Sequence, residues 1–303
     1  MNLETNLCGI KLKNPTILAS GILGVSKSLL KNVIENGAGA VTIKSISYEP
    51  RDGHKNPTIL EFDSGMINAV GYSNPGLHGA LDEFTDLKDL NAPVFASVIG
   101  KEPEDFTKVI EGLGNLDFSA IEIPLSCPHT PGFGTLAGQD SPEKTLEITK
   151  AVVKAAKVPV FVKLSPNTKN IGEVAMAAEK GGASGITAVN TLGPGMIINI
   201  EAAKPVMGFK IGGLSGPAIK PIAVRCVYDV YGSVKIPIIG VGGITTGKDA
   251  IEMVMAGATA IGIGSGVNYR GNDVFTKICN EMKDWIEKNN YNSLEEIRGI
   301  VHE

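Results

Sequence analysis

Gly182-Ala183-Ser184-Gly185-Ile186-Thr187-Ala188 follows a helix-like stretch and opens a short apolar run, and the chain uses the same device twice more. Gly37-Ala38-Gly39-Ala40-Val41-Thr42-Ile43 and Gly257-Ala258-Thr259-Ala260-Ile261-Gly262-Ile263 have the same make-up. In each, glycine stands where a helix stops in the left-handed region. The run that follows has strand length. A second set places proline just ahead of an apolar run: Pro93-Val94-Phe95-Ala96, Pro159-Val160-Phe161-Val162 and Pro237-Ile238-Ile239-Gly240. A strand tolerates proline at its first residue, where the missing N–H does little harm.

The helices between these strands are legible. Ser141 suits an N-cap, Pro142 the first helical position and Glu143 the positive first turn. Ile148, Val152, Ala155 and Ala156 then mark one face, as do Ile171, Val174, Ala175 and Ala178 before Gly181. Apolar strands alternating with amphipathic helices predict a parallel sheet covered on its outer face. Strands are expected near Thr16–Ala19, Ala40–Ile43, Val94–Val98, Ala120–Ile123, Val160–Val162, Gly185–Val189, Ile238–Gly240 and Ala260–Ile263. Eight such units favour a closed α/β architecture, the (β/α)8 TIM barrel, over an open sheet. Residues 1–303 read as one such domain, with no linker dividing them. The connections 45–91 and 191–220 are long, and loops of that length are usually functional; they are expected near the active face.

Composition narrows the function. The 303 residues are 43% hydrophobic and 20% charged, with a net charge of −4, which is globular and argues against nucleic acid as a partner. The four cysteines, at 8, 127, 226 and 279, have neither zinc nor iron–sulfur spacing, so no metal site is expected, and reduced thiols suit the cytoplasm. The start Met1-Asn2-Leu3-Glu4 lacks the pattern of a signal peptide. The uncharged stretch Met253–Val267 is too short to span a bilayer, so no membrane association is expected.

In such barrels the chemistry sits at the C-terminal ends of the strands. Those ends read Ser20-Gly21, Lys44-Ser45, Ser97, Ser126-Cys127, Lys163, Asn190-Thr191, Gly242-Gly243 and Gly264-Ser265-Gly266. Lys44 and Lys163 each follow an apolar run, and lysine is rarely buried without a partner. The last two loops are glycine-rich, which exposes N–H groups to an anion, and barrels often bind phosphate there. Cys127 opens the loop Thr130-Pro131-Gly132-Phe133-Gly134, which has the look of a lid, and its context favours catalysis over a core role. His129 ranks below it as a base. Phosphate with two lysines leaves two enzyme readings: a Schiff-base aldolase for a phosphorylated sugar, or a flavin enzyme whose lysine faces the ring.

Several longer motifs bear on that choice: Thr42-Ile43-Lys44-Ser45, Ile67 to Gly76, Ser126-Cys127-Pro128-His129, Val162 to Asn167, Val189-Asn190-Thr191 and Gly212 to Ala218. In order and spacing they resemble the dihydroorotate dehydrogenase family, and most closely its class 1B catalytic subunits. The resemblance implies FMN as cofactor and dihydroorotate as substrate. It places Ser20 with Gly21, Lys44, Ser45, Lys163, Val189, Gly216, Gly242, Gly243, Gly264 and Ser265 against FMN. It places Lys44, the segment Asn68-Ala69-Val70-Gly71-Tyr72, and Asn190-Thr191 against substrate. Cys127 matches the active-site base, and Lys163 the residue that steadies charge on the reduced flavin. It further implies a homodimer or heterotetramer with an electron-transfer subunit carrying FAD and an iron–sulfur cluster.

Three positions depart from the family pattern. Ser97 and Pro124 stand where asparagines are usual, and His129 replaces an asparagine found in many members. These bear on the substrate more than on the cofactor. Another dihydropyrimidine, such as dihydrouracil, is the alternative substrate; a barrel that binds without catalysis is a more distant reading.

Overall fold

The computed structural model describes residues 2–126, 132, 134 and 138–302. Eight parallel strands close a barrel: β1 (Thr16–Leu18), β2 (Ala40–Thr42), β3 (Val94–Ser97), β4 (Ala120–Pro124), β5 (Val160–Leu164), β6 (Gly185–Ala188), β7 (Ile238–Val241) and β8 (Ala260–Ile263). Each pairs with its neighbours in chain order, and β8 returns to β1 through Ile261 opposite Thr16 and Ile263 opposite Leu18. All eight expected strands are present. The chain is a single-domain (β/α)8 barrel.

Helices α1 (Lys27–Glu35), α2 (Gly76–Glu83), α3 (Pro103–Gly112), α4 (Pro142–Ala155), α5 (Ile171–Lys180), α6 (Lys220–Tyr231) and α7 (Gly247–Met255) fill the crossovers, and α8 (Gly266–Arg270) and α9 (Val274–Lys288) follow β8. Their starts are chemically specified. Ser141 Oγ accepts from Lys144 N at 3.3 Å, with Pro142 leading α4. Their ends follow the glycine rule: φ is +106° at Gly37, +92° at Gly182 and +122° at Gly257. At Gly257 a Cβ would also lie 2.2 Å from the ring of Tyr231, so the reversal into β8 has no room for another residue.

Two apolar layers result. Outside the strands, Leu30, Val33, Phe106, Val109, Ile148, Val152, Val174 and Ile278 pack helices onto the barrel. Inside, Ile17, Ala19, Ala40, Phe95, Ala120, Phe161, Ile239 and Ala260 fill the lower interior, with the Phe95 and Phe161 rings stacked at 5.7 Å. An N-terminal hairpin, Thr5–Leu7 paired with Ile10–Leu12, adds buried Leu7 and Leu12 to this cluster and plugs the lower end. The site is thereby confined to the other end, where the interior turns polar.

The two long connections are more than loops. Gly65–Asn68 lies between Ile59–Phe62 and Gly212–Ser215, and Leu192–Gly195 completes a four-stranded antiparallel sheet. Gly213 faces Asn68 and Leu214 faces Ile67, so the two connections support each other. Among the described residues, no helix is long and apolar enough to cross a membrane.

One ion-pair network fixes the loop after β7. Asp249, at the third position of α7, accepts from Thr246 N at 2.8 Å and Thr245 N at 3.0 Å, and Lys220 Nζ reaches it at 2.8 Å. Burial pushes the Asp249 carboxyl up, but the Lys220 and threonine hydrogen bonds outweigh it and hold it at about 2. The folded value is below that of the unfolded chain, about 3.9, so this stabilisation is present above pH 4 to 5 and is lost as pH falls toward 2. Asp249→Asn is therefore expected to cost about 2 kcal/mol at neutral pH. Chemical denaturation at pH 7 and pH 2.5 checks it: the gap between the two proteins narrows at the lower pH.

Candidate active site

At the C-terminal mouth a cavity of about 1300 Å³, counting its open entrance, is ringed by the strand ends and roofed by the antiparallel sheet. Its floor is Ser20 and Lys163. Lys163 is the last residue but one of the apolar strand β5, and its Nζ lies 3.3 Å from Ser20 Oγ and 3.6 Å from Glu122 Oε1. Ser20 Oγ donates to the same Glu122 oxygen at 2.9 Å. A lysine this deep is tolerated because a carboxylate and a hydroxyl meet it.

One wall is made by the last two strands. Gly242, Gly243, Gly264 and Ser265 line the cavity. Gly243 has φ +73°, and a Cβ there would lie 2.6 Å from Lys220 Cβ and 2.9 Å from its backbone, so the turn passes too close to α6 for a side chain. Among the described residues, no acceptor outside the strand ladders takes the N–H groups of Gly243, Gly264 or Ser265. Three such donors beside a cavity make an anion cradle. Gly21 and Gly264 also border open space. A Cβ at Gly21 would meet no protein atom within 4 Å, and one at Gly264 only Ala19 Cβ at 3.8 Å.

The opposite side is polar and carries side-chain donors and acceptors. Lys44 lies over the Tyr72 ring at 6.0 Å. Asn68 Nδ2 donates to Gly213 O at 3.3 Å, which ties it to the roof. Asn190 Nδ2 donates to Ser126 Oγ at 2.9 Å, and its Oδ1 accepts from Thr191 N at 2.8 Å. Ser45 and Ser97 are joined by a 2.8 Å hydroxyl contact. Val70, Gly71, Val189, Gly216 and Pro124 also line the cavity.

Of the residues singled out from sequence, Ser20, Gly21, Lys44, Ser45, Asn68, Val70, Gly71, Tyr72, Lys163, Val189, Asn190, Thr191, Gly216, Gly242, Gly243, Gly264 and Ser265 are brought to this one cavity. Ala69 is not. It is buried with Ile67 and Met207 in the small core of the roof, and its N–H is taken by Thr58 O. Cys127 and His129 lie outside the described residues, whereas Ser126 just before them is buried and held by Asn190. Burial pushes the Cys279 thiol up to about 11 and raises Cys8 and Cys226, so none of these three is a thiolate at neutral pH. Sequence reasoning missed Glu122, and also Ile59 and Met66, which descend from the roof.

A parallel barrel with its polar groups and glycine loops gathered at the C-terminal mouth is the architecture of a barrel enzyme. The chain belongs to the dihydroorotate dehydrogenase family: the profile of that family matches residues 2–286. The catalytic subunit of dihydroorotate dehydrogenase B (NAD(+)) from Methanocaldococcus jannaschii is 47% identical over 305 residues, covering 99% of this chain and 98% of that protein. The subunits of the same description from Methanothermobacter thermautotrophicus and Pyrococcus abyssi are 45% and 46% identical, each over 99% of both chains.

Proposed function

We propose that the chain is the catalytic subunit that oxidises (S)-dihydroorotate to orotate in pyrimidine biosynthesis, with FMN as its cofactor. The observation that carries this reading is the single cavity. It joins the N–H donors of Gly243, Gly264 and Ser265 on one wall, the buried Lys163 in the floor and the Lys44–Asn68–Asn190–Thr191 group opposite. FMN fits these residues. Its phosphate matches the Gly243, Gly264 and Ser265 donors, and its flat ring matches the open space beside Gly21 and Gly264 above the floor. When bound, FMN supplies the acceptor for the hydride that leaves C6 of the substrate.

The protein's residues do the rest. Cys127, as thiolate, takes the proton from C5 of dihydroorotate. Lys163 would meet the flavin from the cavity floor, where low dielectric makes a fixed charge effective. Lys44 offers the substrate carboxylate a cation. Asn68 and Asn190 each carry a donor and an acceptor, which suits the mixed amide edge of a pyrimidine. Identification of the flavin released on denaturation tests the cofactor: FMN is expected, and a protein that cannot be reconstituted with FMN overturns the reading.

The electron acceptor follows from what the chain carries. Its cysteines have no cluster spacing, and Gly262-Ile263-Gly264-Ser265-Gly266 lacks the third glycine of a dinucleotide fingerprint. The relatives' description as a catalytic subunit supports a partner subunit; we propose that this is an electron-transfer subunit carrying FAD and an iron–sulfur cluster, that the assembly is a homodimer or heterotetramer, and that it works in the cytoplasm. The isolated chain is expected to reduce artificial acceptors and not NAD. Brisk NAD reduction by this chain alone would contradict the assignment.

Pro124 favours a second reading, another dihydropyrimidine such as dihydrouracil. It lines the cavity opposite Lys163 in the β4–β5 register and offers no donor where an asparagine is usual in the family. A lost contact of this kind costs about 1–3 kcal/mol if it leaves a partner unpaired. Pro124→Asn is expected to tighten orotate binding about tenfold to a hundredfold. Titration of the oxidised flavoprotein, followed by flavin absorbance, checks it; a response to uracil and none to orotate would favour the second reading.

A further inference from the structure

The floor conceals a carboxylate that the chemistry above does not use. Glu122 interrupts the apolar run of β4, and its side chain and that of Lys163 are each only 5% exposed. Lys163 and Ser20 line the cavity and Glu122 does not, so the carboxylate lies behind them. The three groups come from β4, β5 and the end of β1, which stand on opposite sides of the barrel. Their contacts close a triangle: Ser20 Oγ to Glu122 Oε1 at 2.9 Å, Lys163 Nζ to Ser20 Oγ at 3.3 Å, and Lys163 Nζ to Glu122 Oε1 at 3.6 Å. Beneath them, Ala120 and Phe161 are packed in the apolar interior.

A buried ion pair seldom adds net stability, because apolar side chains of the same volume do as well. This pair differs from a structural one in that its cation faces a ligand cavity. We propose that Glu122 is a positioning residue that holds the Lys163 side chain in the cavity floor, where it would meet the bound flavin. The proposal rests on the FMN reading above. From β6, Thr187 is the register neighbour of Lys163; from β4, Pro124 is. Among the described residues, the other titratable groups lining the cavity are Lys44 and Tyr72, which lie together. Glu122 is thus the carboxylate that faces Lys163. Without its charge, Lys163 loses its counter-ion and withdraws from the floor. Positive charge at the flavin site then falls, and the electron-rich reduced flavin would be disfavoured.

The test is the reduction potential of the bound flavin, measured by dye-coupled equilibration on the FMN-loaded wild type, Glu122→Gln and Glu122→Asp at neutral pH. Glu122→Gln is expected to shift the potential to more negative values, and Glu122→Asp, which keeps the charge, to shift it less. An unchanged or more positive potential in Glu122→Gln, or an equal shift in Glu122→Asp, overturns the proposal. Lys163→Met and the double variant Glu122→Gln/Lys163→Met decide the matter even if Glu122→Gln does not fold. The double variant is expected at the potential of Lys163→Met, and a large further shift would show that Glu122 acts without Lys163. A wild-type chain that holds no FMN refutes the functional reading; an FMN-bearing wild type with an unaltered Glu122→Gln potential refutes this inference alone.

Discussion

Cys127→Ser is expected to slow flavin reduction by dihydroorotate about a hundredfold or more at neutral pH, the usual scale for loss of a general base, while FMN content stays unchanged. A thiol with pKa about 8.5 supplies some thiolate at neutral pH, and a serine hydroxyl supplies almost none. The neighbourhood supports the assignment. Ser126 is buried and accepts from Asn190, which itself lines the cavity, so the chain is pinned to the site one residue before Cys127. The other three thiols are unsuited to the role, since burial raises each of them. Anaerobic stopped-flow reduction is the measurement. Equal rates in the two proteins would remove Cys127 from the mechanism.

Lys163→Met is expected to lower both flavin reduction and FMN retention. It removes the cation of the floor and leaves Glu122 without its counter-charge, and breaking a buried pair in this way costs about 3–5 kcal/mol. The thermal midpoint of the FMN-free protein should therefore fall as well. The same lysine separates the flavin reading from an aldolase. Borohydride trapping with sugar phosphates should leave no adduct at Lys163, because its Nζ is held between Glu122 and Ser20. A stable adduct at Lys163, or a Lys163→Met protein with wild-type reduction rate, would contradict the role given to it.

The barrel was legible because its punctuation is local. Gly37, Gly182 and Gly257 mark helix ends through positive φ, and Pro93, Pro159 and Pro237 mark strand starts, so each unit announces its boundaries within a few residues. The roof was not legible. Leu192-Gly193-Pro194-Gly195 has neither strand alternation nor branched residues, and it becomes a strand only by pairing with Gly212–Ser215. That strand in turn depends on Gly65–Asn68 from the other connection. Such pairing is set by tertiary contact, which a local pattern does not carry. The same holds for the hairpin Thr5–Leu7 and Ile10–Leu12, whose apolar residues are placed by the barrel they plug.

At the site, position along the strands predicted which residues gather at the mouth. It did not predict which side chains touch. Glu122 left a usable signal, since a carboxylate inside Ala120-Ile121-Glu122-Ile123 is buried only with a partner, and Lys44 and Lys163, which each follow an apolar run, are the two candidates for that partner. Ala69 shows the converse. It falls within a motif whose neighbours Asn68 and Val70 line the cavity, yet its side chain turns into the core of the roof beside Met207.

The most direct test of dihydroorotate oxidation is anaerobic addition of dihydroorotate to the purified FMN-loaded chain, with the flavin absorbance followed and the product identified. Bleaching of the flavin is expected, with one orotate formed per flavin reduced. A flavin that stays oxidised with dihydroorotate while dihydrouracil bleaches it would contradict the proposed substrate, and one that neither compound reduces would contradict the proposed activity.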